Sequence, residues 1–381
     1  MPPSAAELRA ERRAVAAGQL LLIRAAVLEP EPALAAWDRW SRQADPERMH
    51  HGEARLLAGG FRRLERIGAE GPMMTVARGI YRRTWYANQL AVRRIAAVLE
   101  RLEAAAVPAL VLKGFALAPL AYGDLGARPM EDVDLLVPPR QIERAVACLE
   151  TLGLRNELGR RRPDGLLANE VELIDADGNS VELHAYALVE SADDSDLWER
   201  RVRFEVREAA AYAPCAEDAL LIVGVHGQRW NRVQPVAWVL DACRLVSSRG
   251  ANGVEFDWDR FCERAIAREL TVPARRIVSM LESVEVAVPA AVGARLSASP
   301  VGLGRAIGDR AGRAVPGRLS NAALAWDRYR RFRDGALDGD RPAGPLDWAA
   351  TVWNLDRAAE LPAEGVRRLR SLNHYARERS A

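Results

Sequence analysis

Ala109-Leu110-Val111-Leu112-Lys113-Gly114 and, further along, Arg128-Pro129-Met130-Glu131-Asp132-Val133-Asp134-Leu135-Leu136-Val137 are the stretches that decide how this chain folds. The first is an apolar run ending in a lysine and a glycine, the pattern of a buried strand running into a turn. The second is a strand with acids at alternate positions. Strand side chains alternate faces, so the pattern predicts Asp132 and Asp134 on one face and Val133 and Leu135 in the core. Two carboxylates on one face repel and raise one another's pKa unless a cation lies between them, and a divalent metal is the usual resolution.

Lys113 stands out by composition. The chain holds 54 lysines and arginines together, and Lys113 is the only lysine. A lysine kept at a strand end beside Gly114, in an otherwise arginine-only chain, suits a compact ammonium meeting a phosphate better than a flat guanidinium fork.

The 381 residues allow two or three domains, and 49% hydrophobic content with a formal net charge of +2 is an ordinary globular composition. Such a balance argues against a protein whose main task is to coat nucleic acid. The runs Arg160-Arg161-Arg162 and Arg328-Tyr329-Arg330-Arg331-Phe332-Arg333 read as solvated faces. Cys148, Cys215, Cys243 and Cys262 are widely spaced and form no CxxC pair, which points away from a disulfide framework or a cysteine zinc site and toward a reducing compartment. The charged start and the absence of a long apolar run predict a cytoplasmic chain with no membrane segment.

Three regions follow: helical over 1–106, mixed over 107–212 and helical again over 213–381. In the first, Ser4 is a candidate N-cap; Leu57, Phe61, Leu64 and Ile67 recur at helical steps; and a long helix over 74–105 stops before Val107-Pro108. In the second, a short helix over 115–121 and another over 141–152 bracket the acidic strand. Residues 169–174 and 180–185 flank Asp175-Ala176-Asp177-Gly178-Asn179, a hairpin signal. On the second arm Glu182 and His184 share a face, so Glu182 becomes a third carboxylate if this strand lies beside the acidic one. Residues 201–208 alternate as a last strand. In the third region helices are predicted over 217–229, 236–247, 258–268, 272–285, 321–333 and 345–354, whereas 286–320 reads as a surface connection or a partly ordered lid. Trp238 and Trp258 read as core.

A strand, a lysine-glycine turn, a D-x-D strand and a third acid describe a two-metal phosphoryl- or nucleotidyl-transfer site. Asp132, Asp134 and Glu182 would hold Mg²⁺ (or Mn²⁺), Lys113 and the backbone at Gly114 would hold phosphate oxygens, and Arg128 would neutralise the leaving pyrophosphate. His184 and His226 read by themselves as packed or hydrogen-bonded histidines, with Asp241 a candidate partner for His226.

The string Leu112-Lys113-Gly114-Phe115-Ala116-Leu117, then Tyr122, then residues 128–137, resembles the uncharacterised nucleotidyltransferase family of the DNA polymerase β-like superfamily. The likeness continues through Val181-Glu182-Leu183-His184, Glu217-Asp218-Ala219-Leu220-Leu221, His226-Gly227 and Trp238-Val239-Leu240-Asp241, with Tyr81 to Asn88 similar to the helix before the core. The resemblance implies an α+β fold with a mixed-sheet nucleotidyltransferase core between helical regions, and Asp132, Asp134 and Glu182 as metal ligands. Superfamily members usually carry a Gly-Ser pair where this chain has Lys113-Gly114-Phe115.

The expectation is a Mg²⁺-dependent enzyme moving NMP from an NTP to an acceptor, a small molecule or peptide in preference to nucleic acid, in specialised metabolism. The competing expectations are a non-catalytic nucleotide- or partner-binding module and a toxin-like modifier of RNA or protein. Three close carboxylates favour the enzyme, because a scaffold has no need to hold them against their repulsion.

Overall fold

The computed structural model describes residues 5–130, 132–156, 170–188, 190, 194–229, 236–247 and 255–314, and beyond these 323, 326–327, 329–330, 344–346, 350 and 358–363. Ser4, Glu131 and the run at 160–162 lie outside the described residues, as does most of the two helical segments predicted over 321–333 and 345–354.

Four helices lead the chain: α1 Ala5–Val27, α2 Pro30–Ser41, α3 His51–Arg66 and α4 Pro72–Ala104. A capping box starts α3, in which the His50 ring accepts from Gly52 N–H and the Glu53 carboxylate accepts from His50 N–H. Pro72 opens α4 at a position where a missing N–H costs nothing, and the helix stops just ahead of Pro108.

The mixed region holds β1 Leu110–Val111, α5 Lys113–Leu117, β2 Val133–Leu136, α6 Ile142–Glu150, β3 Glu170–Ile174 and β4 Ser180–His184, then α7 Ser195–Glu199, β5 Val202–Val206 and β6 Ala209–Ala213. The four-stranded sheet runs β1-β2-β4-β3. β1 is antiparallel to β2, β2 parallel to β4 and β4 antiparallel to β3, so the sheet is mixed, as the resemblance implied. The β3–β4 turn is closed by Asp175, whose Oδ1 accepts from the N–H groups of Asp177 and Asn179.

The strand predicted over 201–208 forms as β5, but outside this sheet: it pairs with β6 as a separate two-stranded ribbon. The alanine-rich run of β6 favours helix by local propensity, so its strand state had no signal of its own. Pairing with β5 and the burial of Ala209, Ala211 and Ala213 at every second position override it.

α8 Ala216–Gly227, α9 Ala237–Ser247, α10 Trp258–Ala267 and α11 Thr271–Ser283 match the predicted helices. The stretch expected to be a connection or lid is helical as well, forming α12 Ala290–Ala298 and α13 Leu303–Arg313. Each buries only a few residues, among them Val292 and Leu296 in α12 and Arg305 and Gly308 in α13, so the apolar period was too sparse to read.

Two large cores share the long helix α4. Its first half, through Met73, Ala77 and Tyr81, packs with α1–α3 and with α8–α12, joining the helices before and after the mixed region in one apolar cluster. Its second half, through Ile95, Leu99 and Leu102, packs against one face of the sheet, α6 and the β5–β6 ribbon. A smaller cluster lies on the other side of the sheet, where Leu110, Leu112 and Leu136 meet Ile222 and Val225 of α8. Among the described residues no helix is long and apolar enough to cross a membrane.

Candidate active site

β2 and β4 run side by side with Asp134 opposite Glu182. Because side chains alternate along a strand, Glu182 and His184 leave β4 on one face, and this is the face that Asp134 uses on β2. Each of the three offers a ligand atom within 4.8 Å of the others. Asp134 is buried, and its Oδ1 accepts from Lys113 Nζ at 2.5 Å and from His184 Nε2 at 2.8 Å. The Glu182 carboxylate lies 3.5 Å from the same His184 nitrogen.

The electrostatics follow from these contacts. Burial opposes ionisation of Asp134, but the hydrogen bond from His184 and the charge of Lys113 outweigh it and hold the carboxyl well below the usual carboxylate range. Burial likewise opposes protonation of His184, and its hydrogen bonds to Asp134 and Glu182 outweigh it, so the imidazole pKa is raised. An ionised Asp134 can only accept, hence Nε2 of His184 carries the proton.

Lys113 reaches this position through an unusual backbone. It has φ +47, in the left-handed region that a non-glycine residue rarely enters. Such strain gathers at functional sites, where the surrounding structure imposes it. Leu112, the residue before, is pinned by its N–H to the Asp134 carbonyl at 2.9 Å. Gly114 is required for a different reason: a Cβ there would lie 2.4 Å from Nη1 of Arg128.

Arg128, expected to meet the leaving pyrophosphate, is committed elsewhere. Its Nε and Nη2 donate to the two oxygens of Asp241 at 3.0 and 3.1 Å, and Nη1 donates to the Pro129 carbonyl at 3.1 Å. Tyr122 also donates to Asp241, at 2.7 Å. The pair is buried, and an arginine removed from water takes the carboxylate within reach. This also corrects the pairing expected for Asp241, which does not meet His226.

His226 instead lies 3.2 Å from Arg229, which holds Glu190 at 2.8 Å. Its ring reaches solvent yet is set deep among neighbouring atoms. That desolvation, then Lys113 and Arg229, push its pKa down to about 3.

Asp132 is exposed and lies in the bend before β2. The group of three donors consists of Asp134, Glu182 and His184 and does not include Asp132. The alternation argument needs a paired strand, and pairing begins only at Val133. Asp132 lines a cavity of about 200 Å³ with Arg94, Phe115, Met130, Val133 and Val181, and its charge acts on Arg128.

Tyr81 and Asn88, read in the sequence only as part of a helix similar to the one before the family's core, prove to be two anchors on α4. Asn88 donates to the carbonyls of Leu125 and Arg128 and accepts from Met130 N–H, while Tyr81 donates to Asp124. They sit seven residues apart, two helical turns, on the face that holds the loop leading into β2. A buried polar pair at that spacing was the available signal.

All four cysteines are buried and reduced. Burial pushes the thiols of Cys215 and Cys243 up to about 12. At pH 8 roughly one in ten thousand such thiols is a thiolate. The native protein is expected to leave Cys215 and Cys243 unmodified by a disulfide reagent over minutes, and to expose all four on denaturation. Rapid native labelling of either, located by peptide mapping, would overturn this.

The family model described as "Uncharacterised nucleotidyltransferase" matches residues 51–284. Among solved structures, the chain is similar to an antigenic nucleotidyltransferase-like protein from Paracoccidioides brasiliensis, at 16% identity and a TM-score of 0.30 over 50% of this chain and 91% of that one. No curated protein matches.

Proposed function

The chain belongs to the uncharacterised nucleotidyltransferase family, and on that footing we propose that it is a divalent-metal-dependent enzyme transferring NMP from an NTP to a hydroxyl, amine or phosphate on a small molecule or peptide. The observation that carries this reading is the convergence of Asp134, Glu182, His184 and Lys113 on one face of the paired strands β2 and β4.

The donor set suits a divalent ion. Carboxylate oxygens favour Mg²⁺ or Mn²⁺, while Nε2 of His184, which donates its proton to Asp134, supports the ligand and is not one. Asp134 and Glu182 would be ligands, with Asp132, at the exposed bend before β2, the candidate third. What the ion supplies is neutralisation of triphosphate charge and a lower pKa for the attacking hydroxyl. Lys113, held beside Asp134, would meet a phosphate oxygen, next to backbone N–H groups at Gly114. His184 keeps Asp134 ionised and fixes its orientation. Arg128 acts at one remove: its pair with Asp241 seats the guanidinium against Gly114 and so sets the turn that aims Lys113. The chemistry is then positioning and charge neutralisation. This reading takes the enzyme to work in the cytoplasm, in specialised metabolism.

Isothermal titration with each of the four NTPs, with and without Mg²⁺ or Mn²⁺, tests it. Metal-dependent binding, weakened at least tenfold in the double variant Asp132→Asn with Asp134→Asn, is expected. Binding of no NTP under any condition, or binding indifferent to both metal and the double variant, would sink the proposal.

A further inference from the structure

A second cavity, of about 550 Å³, opens between α3, the loop after α5 and α9, lined by Arg62, Arg63, Arg66, Arg244, Tyr122 and Asp124. Its volume lies in the range of small-ligand sites, about 300–1,000 Å³. What distinguishes it is charge without compensation. Elsewhere buried guanidinium groups face carboxylates, as Arg128 faces Asp241, Arg268 faces Asp194 and Arg264 faces Asp218.

Here Arg63 and Arg244 are half-buried and Arg66 is exposed, and none of the three meets a carboxylate. Arg63 donates only to the Leu28 carbonyl, and Arg244 only to the Gly59 carbonyl at 3.2 Å. The Nε atoms of both are buried with no hydrogen-bond partner. Among the described residues Arg66 makes no hydrogen bond or ion pair. The acids at the rim are already engaged: Asp124 accepts from Tyr81 and from Gly126 N–H, and Glu65 holds Arg62 and Arg78. Arg63, Arg66 and Arg244 thus face the cavity with no acid to pair with, and an anion entering it would supply one. The arrangement also leaves planar forks free for the bidentate grip that phosphate accepts.

We propose that this cavity is a binding site for a small phosphate-bearing ligand, separate from the Lys113–Asp134 centre. The two sites are linked through the wall between them. Tyr122 lines the cavity and donates to Asp241, Asp241 holds Arg128, and Arg128 rests on Gly114 beside Lys113. The cavity's walls are well anchored: Gly59 lets α3 approach so closely that a Cβ there would lie 2.5 Å from Leu240 of α9.

The test uses the full chain and inorganic triphosphate in metal-free buffer, so that its outcome is independent of the transfer reading. Saturable binding is expected by titration calorimetry. Arg66→Ala with Arg244→Ala should weaken it at least tenfold, and the exposed Arg66→Glu alone, which leaves the buried groups untouched, at least fivefold. Lys113→Ala should change it less than twofold. Absence of saturable binding at millimolar triphosphate would overturn the site. So would binding lost in Lys113→Ala but retained in both arginine variants, since it would then belong to the metal centre.

Discussion

Asp134→Asn is expected to lower nucleotidyl transfer by about a thousandfold or more, measured as pyrophosphate release in a single turnover. A ligand carboxylate that lets an ion neutralise transferring charge contributes several kcal/mol to the transition state, and about 4 kcal/mol is a thousandfold. The structure adds an expectation about stability. Between two bare carboxylates an asparagine would relieve repulsion and stabilise the fold. Here Lys113 supplies the compensating charge and His184 a hydrogen bond, so the substitution leaves a half-buried ammonium and a buried imidazole facing a neutral amide. The variant should therefore melt below wild type at pH 7. The sign with pH is fixed by the depressed Asp134 pKa: its stabilisation is present above the unfolded value near 4 and is lost as pH falls through the folded one. The gap between variant and wild type should narrow on acidification. Wild-type turnover by Asp134→Asn would remove this residue from the site.

Asp241→Ala should have the largest effect on stability, about 3–5 kcal/mol, because it strands the Arg128 guanidinium away from water and deprives Tyr122 of its acceptor. Urea denaturation gives the number. The paired replacement Arg128→Met with Asp241→Leu should recover much of the loss, since an apolar pair of similar volume carries no unpaired charge. It should not recover transfer, because the guanidinium that seats the Gly114 turn is gone. A cost below about 1 kcal/mol for Asp241→Ala would mean that water reaches Arg128, and the proposed support of the turn would fall with it.

Much of this molecule was legible because its signals are local. The proline after α4, the placing of Val133 and Leu135 on the face away from Asp134 and the Asp-to-Asn turn before β4 each act within a few residues, so reading them requires no knowledge of the rest of the chain. The same holds for the shared face of Glu182 and His184, since alternation belongs to the strand itself. Where local propensity and packing disagreed, local reading failed. Ala209–Ala213 became a strand, and the sparse stretch after residue 286 became two helices, because partners distant in sequence decided both.

Read alone, the chain offered candidates for a phosphoryl-transfer centre: a lone lysine at a turn, alternating acids and an acid-hydrophobic-histidine strand. Tertiary structure decided which of them meet. The parallel pairing of β2 with β4 set Asp134 against Glu182 and brought in His184, while Asp132, one residue before the ladder starts, stayed outside. The same folding gave Arg128 to Asp241, 113 residues away, rather than leaving it free for phosphate. The physical reason is that charge seeks its partner through space. Once burial makes an unpaired ion costly, the nearest opposite charge in the folded chain determines each side chain's role, and sequence spacing carries no record of it.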